Sequence, residues 1–248
     1  MEWLWILLGL VILMSYTIEA VTGFGSLVIA LAIGVLFFPL DQIMPILAAL
    51  NICMTSVIAF KNRQNIDRPL LIKVILPGMF LGAIVGFSSK DAIDDVLLKQ
   101  LFGVLIIWFS ARELWRMTHQ HEDNPKPIWL TRMLTFFAGI THGLFASGGP
   151  LLVYAVAGTQ IDKSRFRATM AFVWFSMNSF LTVAFLINGQ LQPLLGHVLW
   201  YLPLLVVAIK FGDVLHHKVN ETTFRKAVYG LLLVTGCILL TSRYLTLN

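Results

Sequence analysis

Long apolar runs separated by short polar loops organise this chain. A bilayer crossing takes about 20 apolar residues. Runs near that length fall at roughly 3–21, 24–39, 42–60, 70–88 and 97–115, then at 129–146, 168–187, 194–212 and 226–243. One further run, 149–158, is too short to cross and predicts a half-helix or re-entrant element. Two runs are interrupted or begun by glycine clusters: Thr22-Gly23-Phe24-Gly25-Ser26 and Ala146-Ser147-Gly148-Gly149-Pro150. In hydrocarbon a backbone that leaves the helix loses hydrogen bonds that lipid cannot replace, so such breaks persist only against protein or a wet cavity.

The pattern repeats. Asn51 and Thr55 match Asn178 and Thr182 at an offset of 127; Lys99 and Gly103 match Lys226 and Gly230 at the same offset. Pro77 and Gly86 match Pro203 and Gly212 at 126, and the glycine clusters match at about 124. An ordered series at a nearly constant offset indicates an internal duplication. The chain then divides into a first repeat over 1–117, a loop over 118–128 and a second repeat over 129–248.

Loop charges set the expected topology. Lys61, Arg63, Arg68 and Lys73 mark one loop; Arg112, Arg116, Lys126 and Arg132 mark the central one. Lys163, Arg165 and Arg167 mark a third, and Lys218, Arg225 and Lys226 a fourth. The stretch 88–99 carries Asp91, Asp94 and Asp95, and 188–197 has no Lys or Arg. With the basic loops in the cytoplasm, each half is a broken hairpin plus three crossings. An odd number of crossings inverts the second half, and both termini lie outside the cytoplasm. Arg243 weakly opposes this path. The start, Met1-Glu2-Trp3, lacks a basic signal region, so the first helix is expected to be retained.

Composition sharpens the class. The chain of 248 residues is 58% hydrophobic and 12% charged, with mean hydropathy +0.81. A soluble domain carries about 25% charge. The expected fold class is an all-α polytopic membrane protein of the inner or plasma membrane, with two inverted repeats. The net charge of +5 belongs to topology loops and does not indicate nucleic acid. Cys53 and Cys237 lie in apolar segments with no ligand spacing, and are expected to be buried free thiols. No metal constellation, Ser-His-Asp arrangement, P-loop or dinucleotide fingerprint stands out. No cofactor and no enzymatic activity are expected, and a homodimer is left open.

The candidate chemistry lies at the breaks. A helix restarting at Gly25-Ser26 or Gly149-Pro150 presents free N–H groups and the positive end of its dipole, which favours an anion. Matching interrupted segments in two halves of a membrane protein point to a transport site. The candidate binding residues are Gly23, Gly25, Ser26, Asn51, Ser147, Gly148, Gly149 and Asn178, set against the plainer reading that small residues and amides serve helix packing. Glu19 and His142 precede the two breaks and are candidates for coupling to protons, since ionisable residues inside a membrane are costly and point to function. Lys210 is read as a snorkelling side chain. His119, His121, His216 and His217 are read as solvated loop residues.

With these residues in place, the chain resembles the TauE/SafE sulfite exporter family. The resemblance rests on Glu19-Ala20-Val21-Thr22-Gly23-Phe24-Gly25-Ser26 and on Thr141-His142-Gly143-Leu144-Phe145-Ala146-Ser147-Gly148-Gly149-Pro150-Leu151-Leu152, and in layout it covers essentially the whole chain. Here Ser26-Leu27 follows where the family pattern has a richer glycine run. The resemblance implies transport of small sulfur-containing anions such as sulfite, sulfonates or sulfoacetate. The readings set beside it are an anion channel of the same architecture and a membrane enzyme or assembly factor.

Overall fold

The computed structural model describes residues 2–22, 25–119, 126–156, 162–216 and 221–245. Every regular element among the described residues is helical. The first half holds α1 (Glu2–Thr22), α2 (Ser26–Gly34), α3 (Leu40–Lys61), α4 (Arg68–Leu70), α5 (Leu76–Ser89) and α6 (Asp95–His119). The second holds α7 (Ile128–Phe145), α8 (Gly149–Val156), α9 (Lys163–Ile187), α10 (Leu195–His216) and α11 (Glu221–Leu245). Among the described residues, five segments are long and apolar enough to cross a membrane: Trp3–Ala20, Leu40–Lys61, Arg68–Ala92, Ser164–Ile187 and Gln192–Gly212.

The expected span 24–39 is not one long helix. α2 has nine residues, followed by a turn and by Pro39, which starts α3. At 1.5 Å per residue, α2 rises only about 14 Å, under half the hydrocarbon thickness. α8 has eight described residues, Gly149–Val156; the end of the expected short run 149–158 lies outside the described residues. Between α4 and α5 the chain takes a π turn over Leu71–Ile75. It lies just before Pro77, whose ring would clash with the carbonyl four residues back in a regular α-helix.

The helices pack in pairs. α5 lies along α7, α6 along α11, α3 along α9, and α1 along α10. The α5–α7 contact is made by glycine. A Cβ added at Gly82 would lie 2.0 Å from the Phe136 carbonyl oxygen, and one at Gly139 would lie 2.3 Å from that of Met79. Lipid gives helices no hydrophobic reason to associate, so close backbone approach through small residues supplies the attraction. Gly103 and Gly236 do the same between α6 and α11, each with its would-be Cβ 3.0 Å from the other's carbonyl oxygen.

Side-chain contacts sort the loops into two ends. At one end the Arg165 guanidinium lies 3.3 Å from the Asp67 carboxylate, and Asn65 donates to Ser164 at 3.1 Å. Arg112 and Lys126 both cover the Tyr154 ring, at 4.6 and 4.2 Å from its centroid, at the far end of α8. At the other end Trp5 packs against Phe38 and His197, with centroids 4.6 and 3.8 Å apart. Thus both ends of the α1–α2 hairpin, Trp5 and Phe38, meet at one place, and both ends of the α7–α8 hairpin, Lys126 and Tyr154, meet at another. Cys53 and Cys237 are free thiols but stand on exposed helix faces, not in the core, because their helices turn those positions outward.

Candidate functional site

The hairpin tips flank a cavity of about 50 Å³. Gly25 lines it from the first tip, and Ser147, Gly148 and Gly149 from the second. A single water needs about 10–15 Å³ of such space, so the cavity suits an ion of a few heavy atoms. Its floor carries Glu19 and Asn51, and its walls include Phe109, Trp174 and Tyr229. Among the described residues that line it, none carries a cationic side chain.

Each tip needs its unusual residues. Gly25 precedes α2 at φ 103°, a conformation that an L side chain resists. The Ile29 N–H donates to its carbonyl at 3.1 Å, closing the first turn of α2. At the second tip Ala146 ends α7 in the left-handed region at φ 50°. Gly148 is forced by crowding: its Cβ would lie 2.4 Å from the Ala138 carbonyl oxygen. Gly149 is not crowded, since its Cβ would make ordinary contact with Trp174 at 3.7 Å.

The structure brings Glu19, Ser26, Asn51 and Asn178 into one buried chain of hydrogen bonds. The Ser26 hydroxyl donates to Glu19 Oε2 in a short bond. Asn51 Nδ2 lies 3.3 Å from the same carboxylate oxygen and 3.2 Å from the Ser26 hydroxyl. Asn178 Nδ2 donates to Asn51 Oδ1 at 2.8 Å. All four residues are at most 2% exposed. Asn51 sits at the middle of α3, which places this chain deep between the two ends. Tyr16, unnoticed in the sequence, stands beside the group and donates to the Leu47 carbonyl at 3.0 Å.

The second tip is less satisfied. The buried Ser147 hydroxyl has no hydrogen-bond partner, nor has Asn178 Oδ1 or the Thr182 hydroxyl. Thr55, in contrast, donates to the Asn51 carbonyl at 2.7 Å. His142 is fully buried; its Nδ1 accepts from the Gly148 N–H at 3.4 Å, so it braces the tip, and its ring faces Trp174. Orphaned buried polar atoms are costly and mark a place where a partner belongs. Gly23 lies outside the described residues. Lys210 is exposed, as a snorkelling residue would be.

The aromatic wall escaped the sequence reading, because Phe109, Trp174 and Tyr229 look like any other ring in an apolar helix. A signal was present for Trp174 alone: it falls one turn before Asn178, on the same helix face. Among the described residues no group of three or more His, Cys, Asp or Glu could hold a metal.

An all-helical membrane chain with a cavity between two broken hairpins, apolar but for a few converging polar groups, belongs to the class of membrane transporters. Comparison with known proteins gives the family: the Sulfite exporter TauE/SafE model matches residues 7–239, and the chain belongs to that family. It is also similar to the probable inner membrane transporter protein TsaS of Comamonas testosteroni, 25% identical over 167 residues, or 66% of this chain and 69% of that protein. No solved structure matches it.

Proposed function

We propose that this transporter moves a small sulfur-containing anion, such as sulfite, a sulfonate or sulfoacetate, by alternating access around the cavity between the two hairpin tips. The observation that carries the reading is the Ser147 hydroxyl, buried and unpartnered in the wall of that cavity. It stands just before α8, whose N-terminal dipole favours negative charge. The donors are neutral: among the described lining residues no cationic side chain holds the ion. The choice of a sulfur-containing anion is supported by the family, whose description is Sulfite exporter TauE/SafE.

The two halves act as inverted repeats in this reading. Exchanging each helix with its counterpart turns the α1–α10 pair into the α7–α5 pair and leaves the α3–α9 and α6–α11 pairs in place, which supports it. The separate closures of the two hairpins, at Trp5–Phe38 and at Lys126–Tyr154, fit entry from opposite sides. The basic end, with Arg112, Lys126 and Arg165, faces the cytoplasm by the positive-inside rule. Rocking one repeat against the other would open the tips to each side in turn.

The test is flux in proteoliposomes loaded with sulfite or methanesulfonate. Saturable exchange that responds to a pH gradient is the expected result. Ohmic current without saturation would replace the transporter by a channel, and no flux of either anion would overturn the reading.

A further inference from the structure

On the first side of the cavity the protein supplies its own acceptor. The Asn51 amide, which lines the cavity, and the Ser26 hydroxyl, buried behind its wall, both point at Glu19 Oε2. In the second half the Ser147 hydroxyl, which lines the cavity, has no partner. A carboxylate and a sulfite or sulfonate head group make the same demand on a site: oxygen acceptors that carry negative charge and take N–H and O–H donors. Both cannot hold the same donors at once, and two negative charges confined in one small cavity repel.

We propose that the Glu19 carboxylate is a built-in competitor of the transported anion. It holds the Ser26 and Asn51 donors while the site is empty. An anion spanning both halves takes those donors once Glu19 has gained a proton, so each bound anion brings one proton with it. This rests on the anion reading above and adds the identity and mechanism of the coupling group.

The surroundings of Glu19 leave it as the group that does this. On α1 its neighbour is Tyr16, engaged with the Leu47 carbonyl. α3 brings Cys53, which stands on an exposed face. α9 brings Arg167, which donates to the Ala20 carbonyl at 3.3 Å and acts on Glu19 electrostatically from the rim. α11 brings Tyr229, on the cavity wall. α2 has no titratable side chain, and α10 presents Gly212 to Ala20. His142 belongs to the second tip, away from the Ser26 and Asn51 donors; its Nδ1 accepts from Gly148 and its Nε2 is buried without a partner.

The experiment is calorimetry on the full chain in nanodiscs with methanesulfonate, whose charge is constant with pH, and with sulfite. Buffers of different ionisation enthalpy count the protons. The expected wild-type result is uptake of about one proton per methanesulfonate, with affinity falling toward tenfold per pH unit on the alkaline side. E19Q keeps the size of the side chain without its charge. It is expected to bind at least tenfold more tightly at alkaline pH and to take up no proton. Wild-type binding without proton uptake overturns the competitor, and that measurement needs no variant to fold. E19Q that keeps the wild-type proton count overturns it too. If the wild type binds neither anion, the anion reading itself fails and takes this proposal with it.

Discussion

Asn51 and Asn178 meet each other at the centre of the molecule: the amide nitrogen of Asn178 donates to the amide oxygen of Asn51 across 2.8 Å. The two residues occupy matching places in the two halves of the sequence, 127 positions apart. A bond between counterparts is what a two-fold arrangement of repeats produces near its axis. The bond also continues, through the Asn51 amide nitrogen, to Ser26 and Glu19.

The Asn51–Asn178 pair is therefore expected to be energetically coupled. Each single Ala substitution should cost about 1–3 kcal/mol, the usual range when a buried polar partner is left unsatisfied. The coupling in a double-mutant cycle should fall at roughly 0.6–1.7 kcal/mol, the range for hydrogen bonds between membrane helices. Reversible unfolding in bicelles measures both. Strict additivity would show that the bond contributes nothing.

The glycine contact between α5 and α7 gives a second expectation. Gly82→Ala places a methyl group 2.0 Å from the Phe136 carbonyl oxygen, so the helices must separate. The cost should be about 1–3 kcal/mol, as for overpacking a close-packed interior. Gly230→Ala meets nothing within 4 Å and should be neutral or stabilising by up to about 1 kcal/mol through helix propensity. Equal unfolding free energies for the two variants would contradict the packing described.

Neighbouring glycines at the second tip should separate in the same way. Gly148→Ala drives its methyl group against the Ala138 carbonyl oxygen at 2.4 Å and should disturb the tip and abolish flux. Gly149→Ala makes only ordinary contact with Trp174 and should retain flux within a few-fold. Transport assays on protein of matched thermal stability distinguish them.

At the first tip Gly25 is held at φ 103°. Gly25→Ala is expected to cost about 1–3 kcal/mol of backbone strain. Ala146→Gly removes the left-handed strain at φ 50° and should leave stability and flux near wild type. Thermal denaturation of the two variants checks the pair: opposite behaviour is expected, and a harmless Gly25→Ala would contradict the observed backbone.

Much of this was legible in the sequence, and the reasons differ by residue. The glycine breaks announced both tips, because few residues other than glycine tolerate φ near 103° or a carbonyl 2.4 Å from the Cβ position. The asparagines stood out because a buried amide in an apolar helix needs a partner. Their contact with each other did not, since residue spacing along α3 and α9 says nothing about which faces meet. Whether the run 24–39 crosses or turns back was not legible: nine residues of helix and a turn have the same apolar composition as a crossing, and only Pro39 hints at the stop. The Glu19–Ser26 bond was hidden because it joins α1 to α2 across the break, where helical spacing no longer applies. The glycines of α5 and α7 were visible as letters, but the 2.0–2.4 Å approaches they permit are a property of two helices together.

The central claim is that the cavity between the tips is where the anion passes, and Gly149→Leu tests it most directly. Its first side-chain carbon has room, and the rest of the leucine fills a cavity of about 50 Å³. Uptake of radiolabelled sulfite into proteoliposomes should be saturable for the wild type and fall at least tenfold for Gly149→Leu of unchanged thermal stability. Saturable uptake at the wild-type rate through a filled cavity would contradict the account.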